Sequence, residues 1–262
     1  MYDIIDFHSH VYPERLARKA TKGVSEFYSI AMNHEVGDVK GLIESADRAN
    51  VKNIVVHAVA TTPRQVKRIN EFISDACEKN KRLIGFAATH PFLEDAISEI
   101  DRAVSLGLKG IKIHPDVQQF NMDCEEMLPI YDYIQGKLPI LIHCGDYRFD
   151  YSHPKRLARV LDMFPKLEVI AAHFGGWSIW DLAMEYLLNR KCYLDVSSSF
   201  KFLGKVRSRE IIKAYGAERI LFGVDFPMGD HKSELEYFLS LGLSDYENKL
   251  ILHDNAAKIL NI

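Results

Sequence analysis

Several features that would mark a specialised protein are missing from this sequence. Charge of one sign is not in excess: 36 acidic residues face 33 basic ones, a net charge of −3 with histidine neutral. Electrostatics therefore lend no support to a nucleic-acid or membrane-surface partner. No apolar stretch approaches the roughly 18 residues that a membrane-spanning helix needs. The opening MYDIIDFHSH has no basic region followed by an apolar stretch, so no secretory leader is predicted. The four cysteines, Cys77, Cys124, Cys144 and Cys192, lie far apart and form no CxxC pair. They read as reduced thiols of a cytoplasmic protein. Pro/Ser-rich linkers and low-complexity tracts are absent too, so one domain spanning 1–262 is the simplest organisation. What is present is ordinary for a globular chain: 262 residues, 47% hydrophobic and 26% charged. That length buries a sizeable core without disulfides, which excludes disordered, collagenous and disulfide-stapled classes.

The chain alternates short β-branched runs with helical patterns. Eight strands are predicted, at 2–7, 53–59, 83–88, 110–114, 139–143, 168–173, 192–196 and 219–225. Helical patterns lie between them at 39–49, 63–79, 93–106, 125–135, 154–164, 178–188 and 207–215, and one follows the last strand at 233–241. Gly107, Gly136, Pro165 and Gly216 punctuate the boundaries. Ser244 with Glu247 forms a capping-box signature for one more helix. Strand count and spacing predict an α/β protein with a closed (β/α)8 TIM barrel over an open doubly wound sheet. The segment Arg15–Asp38 is long for a strand–helix connection. It reads either as a mobile lid or as an ordered extra helix.

Polar, metal-capable side chains recur where strands end. His8 and His10 close the first strand, His114 the fourth, His143 the fifth, His173 the sixth and Asp225 the eighth. In a parallel barrel these ends open on the face that carries the active site. A single buried histidine is ordinarily a satisfied core residue; a set repeated at five strand ends is not explained by packing. In His8-Ser9-His10, alternate residues share a strand face about 7 Å apart along the chain, so both imidazoles can converge on one ion. Nitrogen and oxygen donors without thiolates suit zinc, manganese, iron or nickel. His57 and His90 are left as structural or supporting groups, and His34, His153, His231 and His253 receive no role. Cys144 should point away from its neighbour His143 and pack. Asp6 either orients a ligand histidine or satisfies interior polar groups. Trp177 and Trp180 read as core or as pocket lining.

The motifs IIDFHSHVYP, GLKGIKIHP, LPILIHCGD, VIAAHFGGW and RILFGVDFPMG run the length of the chain. Together they resemble the amidohydrolase superfamily, and within it the smaller amidohydrolase-related (amidohydrolase 2) branch that includes aminocarboxymuconate semialdehyde decarboxylase-like enzymes. The resemblance implies a distorted (β/α)8 barrel. With HxH at residue 8, it leaves no room in this chain for the N-terminal β-sandwich of many larger members. It implies one divalent metal ion, zinc first and manganese, iron or nickel as alternatives, held by His8, His10, His143 and Asp225. His173 would be the acid/base, with Asp225 assisting, and Gly175 and Gly176 would let the backbone approach the site or simply turn the chain. In dinuclear branches a carboxylated Lys112 would bridge a second ion held by His143 and His173, an arrangement placed behind the single-metal one. Lys112 could instead pair with Asp225 or a substrate carboxylate, or form a buried ion pair. His114 shares its strand face and joins it as a substrate-binding residue. Arg148 could clamp an anionic substrate group, against the default of pairing with Asp146 or Asp150.

Two activities follow from the resemblance. The first is hydrolysis of a small, carboxylated amide, lactone or ester through a metal-activated water. The alternative is decarboxylation of a small unsaturated or aromatic acid, with Lys112 or Arg148 holding the departing carboxylate. A barrel that binds a ligand without turning it over is a third reading, and the intact donor set argues against it. The expected partner is a small-molecule substrate, not nucleic acid or a membrane. Exposed aromatics at Phe200–Phe202 could serve an interface between two copies of the chain.

Overall fold

A computed structural model describes residues 2–262. Eight parallel strands alternate with helices in one sheet ordered β1 to β8, the (β/α)8 TIM barrel that the alternation predicts. The strands are β1 (Ile5–His10), β2 (Asn53–His57), β3 (Leu83–Ala88), β4 (Gly110–Ile113), β5 (Ile140–Ile142), β6 (Val169–Ala171), β7 (Tyr193–Asp195) and β8 (Ile220–Leu221). The helices in chain order are α1 (Glu14–Tyr28), α2 (Val39–Arg48), α3 (Val66–Lys79), α4 (Ala96–Ser105), α5 (Pro115–Gln118) and α6 (Leu128–Ile134). They continue with α7 (Pro154–Met163), α8 (Trp180–Leu187), α9 (Phe200–Tyr215), α10 (His231–Leu239), α11 (Asp245–Lys249) and α12 (Asn255–Leu260). No described helix is long and apolar enough to cross a membrane.

Contacts divide the chain into two compact units. One comprises the residues up to Ala58 together with Ala76–Ile84 and Val196–Ile262; the other comprises Val59–Asp75 and Gly85–Asp195.

In the first unit β1 extends through His10, three residues beyond the predicted end. The segment 15–38 is an ordered extra helix, α1, followed by a loop. That loop is tied down, with Asn33 and His34 donating backbone N–H groups to the carbonyls of Met228 and Pro227. The capping box is present, since the Ser244 N–H donates to Glu247 Oε2 at 2.8 Å and the Glu247 N–H donates back to Ser244 Oγ at 3.3 Å. Asp6 satisfies interior groups. Its Oδ1 accepts the N–H of His8 and of Val224, each at 3.0 Å, and its Oδ2 lies 3.1 Å from His231 Nε2. His231 Nδ1 in turn meets Ser45 Oγ at 2.9 Å. This serine–histidine–carboxylate chain is fully buried and braces β1 against α2 and α10.

In the second unit the strands are mostly apolar and buried on both faces, as parallel strands covered by helices are, with Lys112 and Asp195 as buried charged exceptions. β4 and β5 are buried at every position. Phe86 pairs in register with Gly110, and its ring lies 2.6 Å from where a Cβ on Gly110 would stand. The missing side chain makes the room that the phenyl fills. At the end of β3, Asn70 accepts the Ala88 N–H at 2.8 Å and donates to Glu99 at 2.8 Å. The buried Glu99 carboxylate also takes Arg102, at 2.8 and 2.9 Å. Cys144 is buried with its Sγ 3.4 Å from the Ile142 carbonyl, as packing requires.

Candidate metal-binding and catalytic groups

In the first unit the HxH pair and Asp225 converge. His8 Nε2 and His10 Nε2 are 3.4 Å apart, and each lies 3.5 Å from Asp225 Oδ1. Two ligands each about 2.1 Å from one tetrahedral ion are about 3.4 Å apart. The three donors therefore have the spacing of ligands around a single divalent cation, and the residues fit the metal that the sequence implies.

Two of the three donors are aimed by serine hydroxyls. Ser197 Oγ lies 3.1 Å from His8 Nδ1 and engages that side of the ring, leaving Nε2 to face His10 and Asp225. Ser198 donates to Asp225 Oδ2 at 2.6 Å, turning Oδ1 toward the two imidazoles. Asp225 sits beyond β8 at φ 61°, and Ser198 is also left-handed at φ 50°. Such conformations cost about 1–3 kcal/mol each and persist where surrounding structure enforces them. Here the Asp225 N–H is bonded to the His8 carbonyl at 2.7 Å. His57, buried at the end of β2, packs edge-on to His10 with centroids 4.4 Å apart, and its ring nitrogens fall in one group with those of His8 and His10. Glu234 of α10 belongs to the same unit. Burial pushes its carboxyl up to about 7, with Asp225 and Asp230 adding to the shift.

The second unit gathers His143, His173, His114, Lys112, Asp116 and Arg148. His143 Nδ1 and His173 Nε2 are 3.0 Å apart. His143 Nε2 lies 2.9 Å from the Gly145 carbonyl and 3.5 Å from Asp116 Oδ2, and the His114 ring stacks on His143 at 3.7 Å and 8°. Burial holds His143 well below the ordinary histidine range, helped by the charges of His114, His173 and Lys112, so it stays neutral and able to ligate. Gly145 has φ +82°, and a Cβ there would lie 2.5 Å from the carbonyl carbon of Gly176. Glycine at 145 lets this backbone pass close to residue 176, whereas a Cβ on Gly176 would meet Ala183 Cβ at 2.7 Å, so that glycine makes room for α8.

His173 stands at φ 60°, its N–H on Asp195 Oδ1 at 3.1 Å and its carbonyl accepting from Trp180 Nε1 at 3.0 Å. Trp180 thus holds the backbone of a proposed acid/base. Lys112 is 1% exposed, buried in β4. Arg148 takes the pairing that was its default: Nε and Nη2 grip buried Asp146, with Nη2 at 2.6 Å from Oδ2. Burial pushes Asp116 up to about 7; hydrogen bonds from Ser152 oppose the shift, and Asp146 adds to it.

Ser197, Ser198, Asp116 and Asp195 are the positioning groups that sequence reasoning missed, and Trp180, read there as core or pocket lining, holds a backbone carbonyl instead. The run Ser197-Ser198-Ser199 after β7 reads as a plain polar loop. Asp116 follows a proline at a helix start, where an acidic residue is the norm.

Comparison with solved structures places the chain among barrels of similar size. An uncharacterized TIM-barrel protein from Bordetella bronchiseptica matches with TM-score 0.79 at 19% identity, covering 99% of this chain and 98% of that one. 5-Carboxyvanillate decarboxylase from Sphingomonas paucimobilis matches with TM-score 0.77 at 17% identity over 100% of both chains. A dihydroxybenzoic acid decarboxylase from Polaromonas, solved with manganese and the inhibitor 2-nitroresorcinol, matches with TM-score 0.75 at 18% identity, covering 100% and 97%. The sequence pattern described as Amidohydrolase matches residues 5–262. A donor set aimed at one cation, on a barrel matched by this pattern almost from end to end, marks an enzyme of that superfamily: the chain belongs to the amidohydrolase family.

Proposed function

We propose that the protein is a metal-dependent carboxy-lyase acting on a small aromatic or unsaturated acid. The observation that carries the metal dependence is the triangle of His8 Nε2, His10 Nε2 and Asp225 Oδ1, 3.4–3.5 Å on each side. The family resemblance adds His143 as a fourth ligand. Hydrolysis of a carboxylated amide, lactone or ester, the reading placed first from sequence, has only the breadth of the family behind it. Decarboxylation is favoured by solved structures that share this fold, one of them holding manganese.

A divalent cation bound there would supply Lewis-acid polarisation of a substrate oxygen. Zinc and manganese both suit the donor set. Lys112 and His114 would hold the substrate carboxylate, with Arg148 as a supporting charge because its Nε–Nη2 edge is occupied by Asp146. His173 would deliver a proton to the carbon bearing the carboxylate, as a general acid within reach of the reacting atom does. The bond to the carboxylate carbon then breaks, CO2 leaves, and its electron pair returns to the ring or chain. Asp225 would assist as a carboxylate beside the reacting group.

The test supplies Mn²⁺ or Zn²⁺ and a panel of hydroxybenzoic and muconate-type acids in D2O. Released CO2 with deuterium at the vacated carbon is the expected result. Turnover of an amide or lactone panel with label from H2¹⁸O in a new carboxylate, and no CO2, would replace this reading with the hydrolytic one.

A further inference from the structure

A buried carboxylate stands behind one of the proposed metal ligands. His143 can ligate through Nδ1 only if the ring proton sits on Nε2. Two acceptors face that nitrogen: the Gly145 carbonyl at 2.9 Å and Asp116 Oδ2 at 3.5 Å. Asp116 is itself fixed. Ser152 Oγ donates to Oδ2 at 2.5 Å, and the Ser152 N–H reaches Oδ1 at 3.3 Å. Asp116 is 1% exposed and His143 2% exposed. The stacked His114 ring flanks the imidazole face at 3.7 Å, so a flip would have to move a packed neighbour. A flip about Cβ–Cγ would put Cε1 in place of Nε2 beside the Gly145 oxygen and Cδ2 in place of Nδ1, so both nitrogen contacts would be lost.

We infer that Asp116 is a positioning residue for His143: with the Gly145 carbonyl it holds the Nε2-protonated form, and its negative charge strengthens the Nδ1–cation bond. The inference rests on the proposal that His143 is a metal ligand. The physical reason is charge transfer through the ring. A cation on Nδ1 makes Nε2–H more positive, and a carboxylate 3.5 Å away in a water-excluded setting gains from that charge only when the ion is bound. A carbonyl dipole alone gains less. Ser152 does for Asp116 what Asp116 does for His143.

The experiment titrates Mn²⁺ into the metal-free full chain at pH 8 and reads affinity rather than turnover. Asp116→Ala should weaken Mn²⁺ binding about 10–100-fold, the range for removing a supporting partner of a metal-bound histidine. Asp116→Asn keeps an oxygen acceptor without the charge and should fall between wild type and Ala. In parallel, ¹⁵N-histidine NMR of the wild type, assigned against His143→Gln, should show His143 protonated at Nε2. A folded Asp116→Ala protein binding Mn²⁺ within twofold of wild type overturns the inference while leaving the metal reading intact. His143 protonated at Nδ1 overturns it even if the Ala variant does not fold. Wild type that takes up no Mn²⁺ sinks the metal reading and this inference with it.

Discussion

The two units aim their histidines by different means. In the first, neutral hydroxyls do it: Ser197 turns His8, and Ser198 turns Asp225. In the second, a backbone carbonyl, a buried carboxylate and a stacked ring hold His143, and a tryptophan and an aspartate hold the backbone of His173. The first arrangement starts from a strand, where HxH spacing already makes the side chains parallel. The second starts from residues just past short strands, where the backbone is irregular and orientation must be imposed from outside. His8 and His10, preset by a strand, need only light correction, whereas His143 and His173 past their strands have charged or bulky supports; Asp225, also past its strand, is held by a hydroxyl.

The largest effect that would break this contrast lies in the first unit. His10→Ala or Asp225→Ala removes one of three close donors and should abolish Mn²⁺ binding at concentrations that saturate the wild type, as read by titration and metal analysis. Retention of stoichiometric metal in either variant would show that the first unit is not the anchor. Next, His173→Asn should lower turnover about 10²–10⁴-fold, the worth of a positioned acid/base, with metal content unchanged. Loss of metal in that variant would shift His173 from proton carrier to ligand. Ser197→Ala sharpens the comparison of supports. It should weaken metal binding, but less than Asp116→Ala, because a hydroxyl carries no net charge. Parity between the two would erase the distinction between light and heavy supports.

Stability offers two smaller tests. Gly110→Ala forces a methyl into the Phe86 ring and should cost about 1–3 kcal/mol in urea melts, as overpacking does. Glu234 supplies the pH test. Its folded-state pKa of about 7 lies above the ordinary 4.5, so the folded chain binds this proton more tightly than the unfolded chain. The stabilisation is fully present below pH 4.5 and is lost as pH rises through 7. Metal-free Glu234→Gln should therefore gain on wild type between pH 5 and 8, by on the order of 3 kcal/mol. Melts at both pH values with equal differences would exclude the linkage.

How far the sequence could be read depended on where backbone hydrogen bonds go. β3 was legible to the residue because its short apolar run, LIGFAA, coincides with the strand. β8 was not: RILFGVD reads as a strand through Asp225, but the ladder ends at Leu221. Beyond it, Phe222 donates to the Ile251 carbonyl, Val224 to the Asp6 carboxylate and Asp225 to the His8 carbonyl. None of those partners is visible in a local window. The extra helix α1 stood as one of two readings of the segment 15–38, and only its ties to Pro227 and Met228 distinguish it from a mobile lid.

Residue type and spacing by themselves determined the alternation of strands and helices, the barrel class, and the histidines and aspartate that gather near strand ends, because hydrophobic period and donor chemistry are local properties. Tertiary structure alone decided which atom of each candidate donor would face a metal, since that depends on Ser197, Ser198, Gly145 and Asp116. These groups come from other loops, and their hydrogen bonds exist only once the chain has folded.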